Sequence, residues 1–242
     1  MQPKSIQTHN SSQQIQQAVF ALIYTAVMLT ILEHVFLPSR VAAWLYRSPD
    51  VFAPSVPLMA GVIWAVACIV GYLVIPFAVV KIWHRQSLIG IGCNFSGFAR
   101  HMKVYFGLYL AMIPIIVLAS QMPAFQQVYP FVPEVKISLT SFFIWECFYV
   151  MQFFSLESFF RGYLLFTLEK VTHSLIAIAV MTVPYAMIHV HKPLPEACGA
   201  IIAGLALGWL SLKYRSWIGG ALVHAFVAVT LDSIACHRAG LF

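Results

Sequence analysis

The sequence predicts an all-α fold, a polytopic membrane bundle of about seven to eight transmembrane helices. Three observations carry this. Of 242 residues, 61% are apolar or aromatic and only 9% are charged, against about 25% in a soluble domain. The apolar residues gather into long continuous runs, and about 20 such residues cross a bilayer. Almost all of the 14 Lys and Arg fall in short loops between those runs. A soluble globule needs more polar surface than this, and a membrane barrel is built from short alternating strands rather than long runs.

The runs can be taken in chain order. The first is roughly 18–37, the second 56–80 and the third 104–120. A fourth, 137–168, is long for one span, so it is tilted, broken or two packed pieces. The fifth is 173–189, the sixth 196–212 and the seventh 218–235. Pro76 and Pro114 lie inside runs, where bundles tolerate kinks. No internal repeat or low-complexity block interrupts the pattern. The expected organisation is a polar N-terminal tail (1–17) followed by one integral-membrane domain (18–242).

Segment 1–17 is polar and lacks a small-residue cleavage site after a short apolar core, so it does not read as a secretory signal. With seven spans, Lys4, Lys81, Arg85, Arg100, Lys103, Lys170, Lys213 and Arg215 share one face of the membrane. Arg40, Arg47, Lys136, Lys192 and Arg238 share the other. The excess on the first face predicts a cytoplasmic N-terminus. The net charge of +6 is thereby topological, and no nucleic-acid partner is expected; the bilayer itself is the first partner. Segment 81–103 is basic and aromatic and reads as interfacial. Cys68, Cys93, Cys147, Cys198 and Cys236 are scattered without CxxC spacing and read as small buried hydrophobes.

An ionisable side chain at membrane depth costs about 2.5–3.5 kcal/mol on insertion scales, so each has a partner or a task. Besides Glu33 and His34 near the end of the first run, the residues are Glu146, Glu157, Arg161, His189, His224 and Asp232, with Glu196 at a span end. Glu157 and Arg161 stand four apart on one helix face. They form either an intrahelical ion pair or a carboxylate oriented in a polar cavity. Glu146, eleven residues earlier, returns to the same face about three turns away. It lines the same cavity or bonds a neighbouring helix. Asp232 stands about 80° round the helix from His224. A carboxylate with imidazoles can activate water against an amide, with a metal or without one. HExxH and GxSxG are both absent, and Ser158 reads as small-residue packing.

Three motifs then converge on a known pattern: Leu156-Glu157-Ser158-Phe159-Phe160-Arg161-Gly162, Tyr185-Ala-Met-Ile-His189 and Gly219-Gly220-Ala-Leu-Val-His224. In order and spacing, over roughly 138–232, the chain resembles the CPBP family of intramembrane proteases, the type II CAAX prenyl endopeptidase and bacteriocin-processing group. It also resembles, less strongly, a bacterial branch with a single Glu before Phe-Phe-Arg-Gly. The resemblance implies a protease-like core at about 138–235 in a bacterial inner (plasma) membrane, acting on a membrane-associated protein or peptide, near its C-terminus in some relatives. It implies catalytic roles for Glu157, Arg161, His189 and His224, with Asp232, Glu196 and Glu146 as supporting candidates. Glu157, oriented by Arg161, would activate water with His189, and His224 would stabilise the oxyanion.

Two positions depart from the family pattern. Leu156 replaces the Glu usually given the role of base, and Ala228 replaces Asn or Asp four residues after His224. Neighbouring helical positions point about 100° apart. Glu157 therefore serves as base only if the helix is locally shifted or unwound. Otherwise Glu196 or Glu146 supplies the base, or the chain is a catalytically degenerate membrane binding or scaffold protein. The count of Glu157, His189 and His224 suits a catalytic zinc. No tightly bound metal is the expectation, with zinc or another divalent ion as the alternative.

Overall fold

The computed structural model describes residues 4–48 and 53–242 and is helical throughout its ordered elements. Helix α1 spans Lys4–Ile31 and runs into a π turn, Leu32–Phe36. The polar segment therefore begins as helix from Lys4, while residues 1–3 lie outside the described residues. Leu37 leaves helical geometry, and Pro38 then opens α2, Pro38–Leu45, at a position where a missing N–H costs nothing. Helix α3, Val56–Trp83, contains two π turns, Val70–Val74 and Val79–Trp83, with Pro76 between them. Helix α4, Phe98–Ala119, follows Gly97 at φ 69° and carries Pro114 internally. A short α5, Pro123–Val128, leads to helix α6, Leu139–Glu169. Ser138 caps α6, its hydroxyl accepting the Ser141 N–H at 3.2 Å. Helices α7, Ser174–Met187, α8, Leu194–Tyr214, and α9, Ile218–Arg238, complete the chain.

Among the described residues, six helices are long and apolar enough to cross a membrane: Ser11–Phe36, α3, α4, α6, α8 and α9. The fifth predicted run is different, because α7 has only 14 residues. That is about 21 Å of helix, short of a hydrocarbon core of roughly 30 Å. The long fourth run is one continuous helix of 31 residues. It is neither broken nor two pieces, and it contains a π turn, Ser158–Leu164, starting directly after Glu157. All five cysteines are unpaired, with Cys68 and Cys236 buried.

Helix α6 is the hub. It packs against α3 on one side and α9 on another, while α9 also packs on α4 and α7 on α8. From Ser155 to Leu168 every residue of α6 is buried. Its C-terminal half is thus enclosed by protein, as expected of a helix that is apolar on every side. Tyr72, Phe159, Phe160, Tyr163, Phe166, Ile178 and Met181 share one large apolar cluster with Leu156. Outward-facing residues such as Leu118, Val183 and Ile202 are exposed, which suits a lipid-facing surface. At one end, Arg215 adopts a left-handed conformation that stops α8. Its guanidinium bonds Glu169 Oε2 at 2.6 Å and sits 4.4 Å from the Phe166 ring centroid, tying that turn to the end of α6. On the same side, burial pushes the His84 pKa below its ordinary value, and nearby Lys170 adds to the shift.

Candidate active site

The site arises from the pairing of α6 with α9. Trp145, Tyr149, Phe153, Glu157 and Arg161 are spaced four apart and form one stripe along α6. Gly220, His224, Ala228 and Asp232 form a matching stripe along α9. The two run antiparallel, and each step of four back along α6 meets a step of four forward along α9. Gly220 faces the Glu157 carboxylate; a Cβ placed there would lie 3.4 Å from Glu157 Oε2. His224 packs on Phe153, with ring centroids 4.4 Å apart. Ala228 and Tyr149 lie in one buried cluster, and Trp145 Nε1 donates to Asp232 Oδ2 at 2.9 Å.

Glu157 and Arg161 are both fully buried. Arg161 Nη1 donates to Glu157 Oε1 at 2.7 Å, and His224 Nδ1 donates to the same oxygen at 2.9 Å. A ring nitrogen facing a carboxylate is the protonated one, so the other nitrogen of a neutral His224 carries the lone pair. Arg161 is held from its other face by Tyr185, its Cζ standing 3.6 Å from the ring centroid. His189 lies just beyond the end of α7. Its Nδ1 donates to the Tyr185 carbonyl at 2.9 Å, which again leaves Nε2 as the acceptor in the neutral ring. The His189 and His224 rings are 6.4 Å apart at their centroids and 23° from parallel. Glu157 Oε2 has no hydrogen-bond partner among the described residues.

Four of the sequence candidates, Glu157, Arg161, His189 and His224, are therefore brought together. The other three are not part of that group. Asp232 is fully buried, and its Oδ1 accepts the Phe131 N–H at 3.2 Å while Oδ2 takes Trp145. It orients no histidine. Glu146 lies about 16 Å along α6 from Glu157. Neither of its oxygens meets a donor among the described residues, and its titratable neighbour is Asp232. Glu196 accepts the Tyr129 hydroxyl at 2.7 Å and stands 4.0 Å from Lys192 Nζ. Burial lowers the Lys192 pKa below the usual lysine range, opposed by Glu196 and Asp232, and its ammonium rests over the Tyr129 and Phe131 rings. These residues build a second polar layer that joins α6, α8, α9 and the 129–136 loop.

The structure also adds residues to the site. Tyr185 supplies both a ring for Arg161 and a carbonyl for His189, although the sequence shows only an aromatic at a motif spacing. Gly220 stands in the third motif, whereas Phe153 carries no signal in the sequence, since an aromatic at helical spacing reads equally as core. The early end of α7 places His189 at the level of Glu157, and no composition signal announces that end. Among the described residues, no three of His, Cys, Asp and Glu are grouped to hold one ion. The trio Glu157, His189 and His224 has the required count but is not among such groups.

A helical membrane protein whose buried carboxylate, guanidinium and two imidazoles converge in its core is the class that this fold and site define. Residues 138–230, from the cap of α6 through most of α9, match the family model for Rce1-like proteins, described as type II CAAX prenyl endopeptidase Rce1-like. Over these residues the chain is similar to that family, and the match is consistent with a CPBP-family protease. No curated protein and no solved structure matches the chain.

Proposed function

We propose that the protein is an intramembrane endopeptidase that hydrolyses a membrane-associated protein or peptide with water activated by the Glu157–His224 pair. The observation that carries this reading is the shared Glu157 Oε1, which accepts from Arg161 on its own helix and from His224 on the facing one. Arg161 supplies the counter-charge to the Glu157 carboxylate inside the protein. Glu157 fixes the His224 ring and stabilises the imidazolium formed when His224 Nε2 takes a proton from water. The hydroxide adds to the scissile carbonyl, and His224 returns the proton to the leaving amine. His189, fixed by the Tyr185 carbonyl, helps hold the attacking water through its free Nε2. This arrangement gives Glu157 an orienting role rather than that of sole base. It also removes the need for a carboxylate at position 156.

A scaffold reading has one observation in its favour: Leu156 is 3% exposed within the apolar cluster, so position 156 contributes no chemistry. The two readings separate on cleavage of a pool of membrane-inserted peptides in liposomes by wild type, Glu157→Gln and His224→Gln. The endopeptidase reading expects wild-type cleavage that falls by about 10²–10⁴-fold in each variant. No cleavage by the wild type against the whole pool favours the scaffold.

A further inference from the structure

Away from the Glu157 site, a cavity of about 260 Å³ lies where α4, α5, the 133–136 turn and α9 meet. Two cations line it, Lys136 and Arg238, together with Gln126, the Tyr129 side chain and Ser120. Among the described residues, no acidic side chain lines it. Its remaining wall is apolar, from Phe125, Leu231 and Ala235. Arg238 Nη1 donates to the Ser120 carbonyl, which fixes the guanidinium at the mouth. An arginine carries five N–H groups and a lysine three, so this one bond uses a small part of the donors present. Ser120 caps the end of α4, and Arg238 is the last residue of α9. Both helices are long and apolar enough to cross a membrane. The cavity therefore opens where a spanning helix leaves the hydrocarbon.

We propose that this cavity binds the phosphate of an anionic phospholipid headgroup. Lys136 and Arg238 take the non-bridging phosphate oxygens, and an acyl chain follows Leu231 and Ala235 into the bilayer. The chemistry is that of any phosphate ester. The apolar wall and the position at the ends of two spans select the membrane lipid over a soluble phosphate. An unopposed basic pair at the membrane surface adds about 1 kcal/mol of attraction per residue, which corresponds to roughly fivefold in affinity for each.

The test is a titration of the delipidated full-length protein in detergent with phosphatidylglycerol, phosphatidylcholine and inorganic phosphate, read by native mass spectrometry. Wild type should bind phosphatidylglycerol several-fold more tightly than phosphatidylcholine. Lys136→Gln should lose about fivefold of that preference, and Arg85→Gln, remote from the cavity, should keep it. Arg238→Lys retains the charge and should keep most of the preference, which separates charge from the Ser120 bond. Equal binding of the two lipids by wild type overturns the proposal. So does a preference that survives Lys136→Gln and Arg238→Gln together. Inorganic phosphate that binds through Lys136 and Arg238 while phosphatidylglycerol binds no tighter than phosphatidylcholine assigns the cavity to a soluble anion and equally overturns the lipid site.

Discussion

Each ionisable residue of the core has its own consequence when changed. Arg161 and Glu157 are both fully buried, and removing one partner leaves the other charge uncompensated. Arg161→Met should therefore cost about 3–5 kcal/mol of stability, visible as a large fall in the thermal midpoint of the detergent-solubilised protein. A midpoint equal to wild type would show that the pair is not buried as described. Asp232 behaves differently, because its partners are Trp145 Nε1 and the Phe131 N–H rather than a histidine. Asp232→Ala should cost about 1.5–3 kcal/mol of stability and leave the cleavage rate per folded molecule near that of wild type. A rate loss in protein that is still folded would return Asp232 to the catalytic group. Restoring the family residues should not help this chain. Leu156→Glu places a carboxylate in the apolar cluster around Tyr72 and Phe159. Ala228→Asn adds an amide to the cluster that holds Tyr149, where overpacking costs about 1–3 kcal/mol. Lower yield of folded protein, measured by size-exclusion chromatography, is the expected result for the pair.

At the scale of elements, the α6–α9 register is the feature that makes a site out of separated motifs. Glycines set how closely α9 approaches its neighbours. A Cβ at Gly219 would fall 2.1 Å from the Tyr105 ring, whereas one at Gly220 would meet Glu157 Oε2 at 3.4 Å. Gly219→Ala should thus force α4 and α9 apart and destabilise the fold by about 1–3 kcal/mol. Gly220→Ala should remain folded and slow cleavage by crowding Oε2. Equal thermal midpoints for the two variants would contradict the register. The three motifs and the Glu157–Arg161 spacing were readable in the sequence, because i, i+4 neighbours on a helix are fixed by local geometry. The His224–Glu157 bond was not, since nothing local sets the register of two helices 67 residues apart in sequence. The π turn after Glu157 lies between these cases. One of the three readings of Glu157 asked for a local change in the helix, and a π turn occurs at Ser158–Leu164.

For the whole molecule, apolar run lengths were sufficient for an all-α membrane bundle, and six of the seven predicted runs became helices long enough to span. The fourth run, expected to be tilted, broken or double, became one long helix because its C-terminal half is enclosed by protein rather than lipid. The fifth became the short α7 because a turn at residues 188–193 places His189 inside the bundle rather than at a far surface. Span count and orientation remain tied to α7. The Lys/Arg asymmetry proposes a cytoplasmic N-terminus, and labelling of cysteines introduced at positions 85 and 238 in sealed vesicles should find them on opposite faces. Labelling from one face only would reassign the path of α7 through the membrane.

The central claim is that Glu157 and His224 act as one unit in peptide hydrolysis. Its most direct measurement is the cleavage rate of wild type, Glu157→Gln, His224→Gln and the double variant on one membrane-inserted substrate. Residues acting as a unit are strongly non-additive. Each single change should lower the rate by about 10²–10⁴-fold, and the double variant should be no slower than the worse single. A Glu157→Gln protein that cleaves at the wild-type rate, or a double variant whose loss is the product of the two singles, would contradict the account.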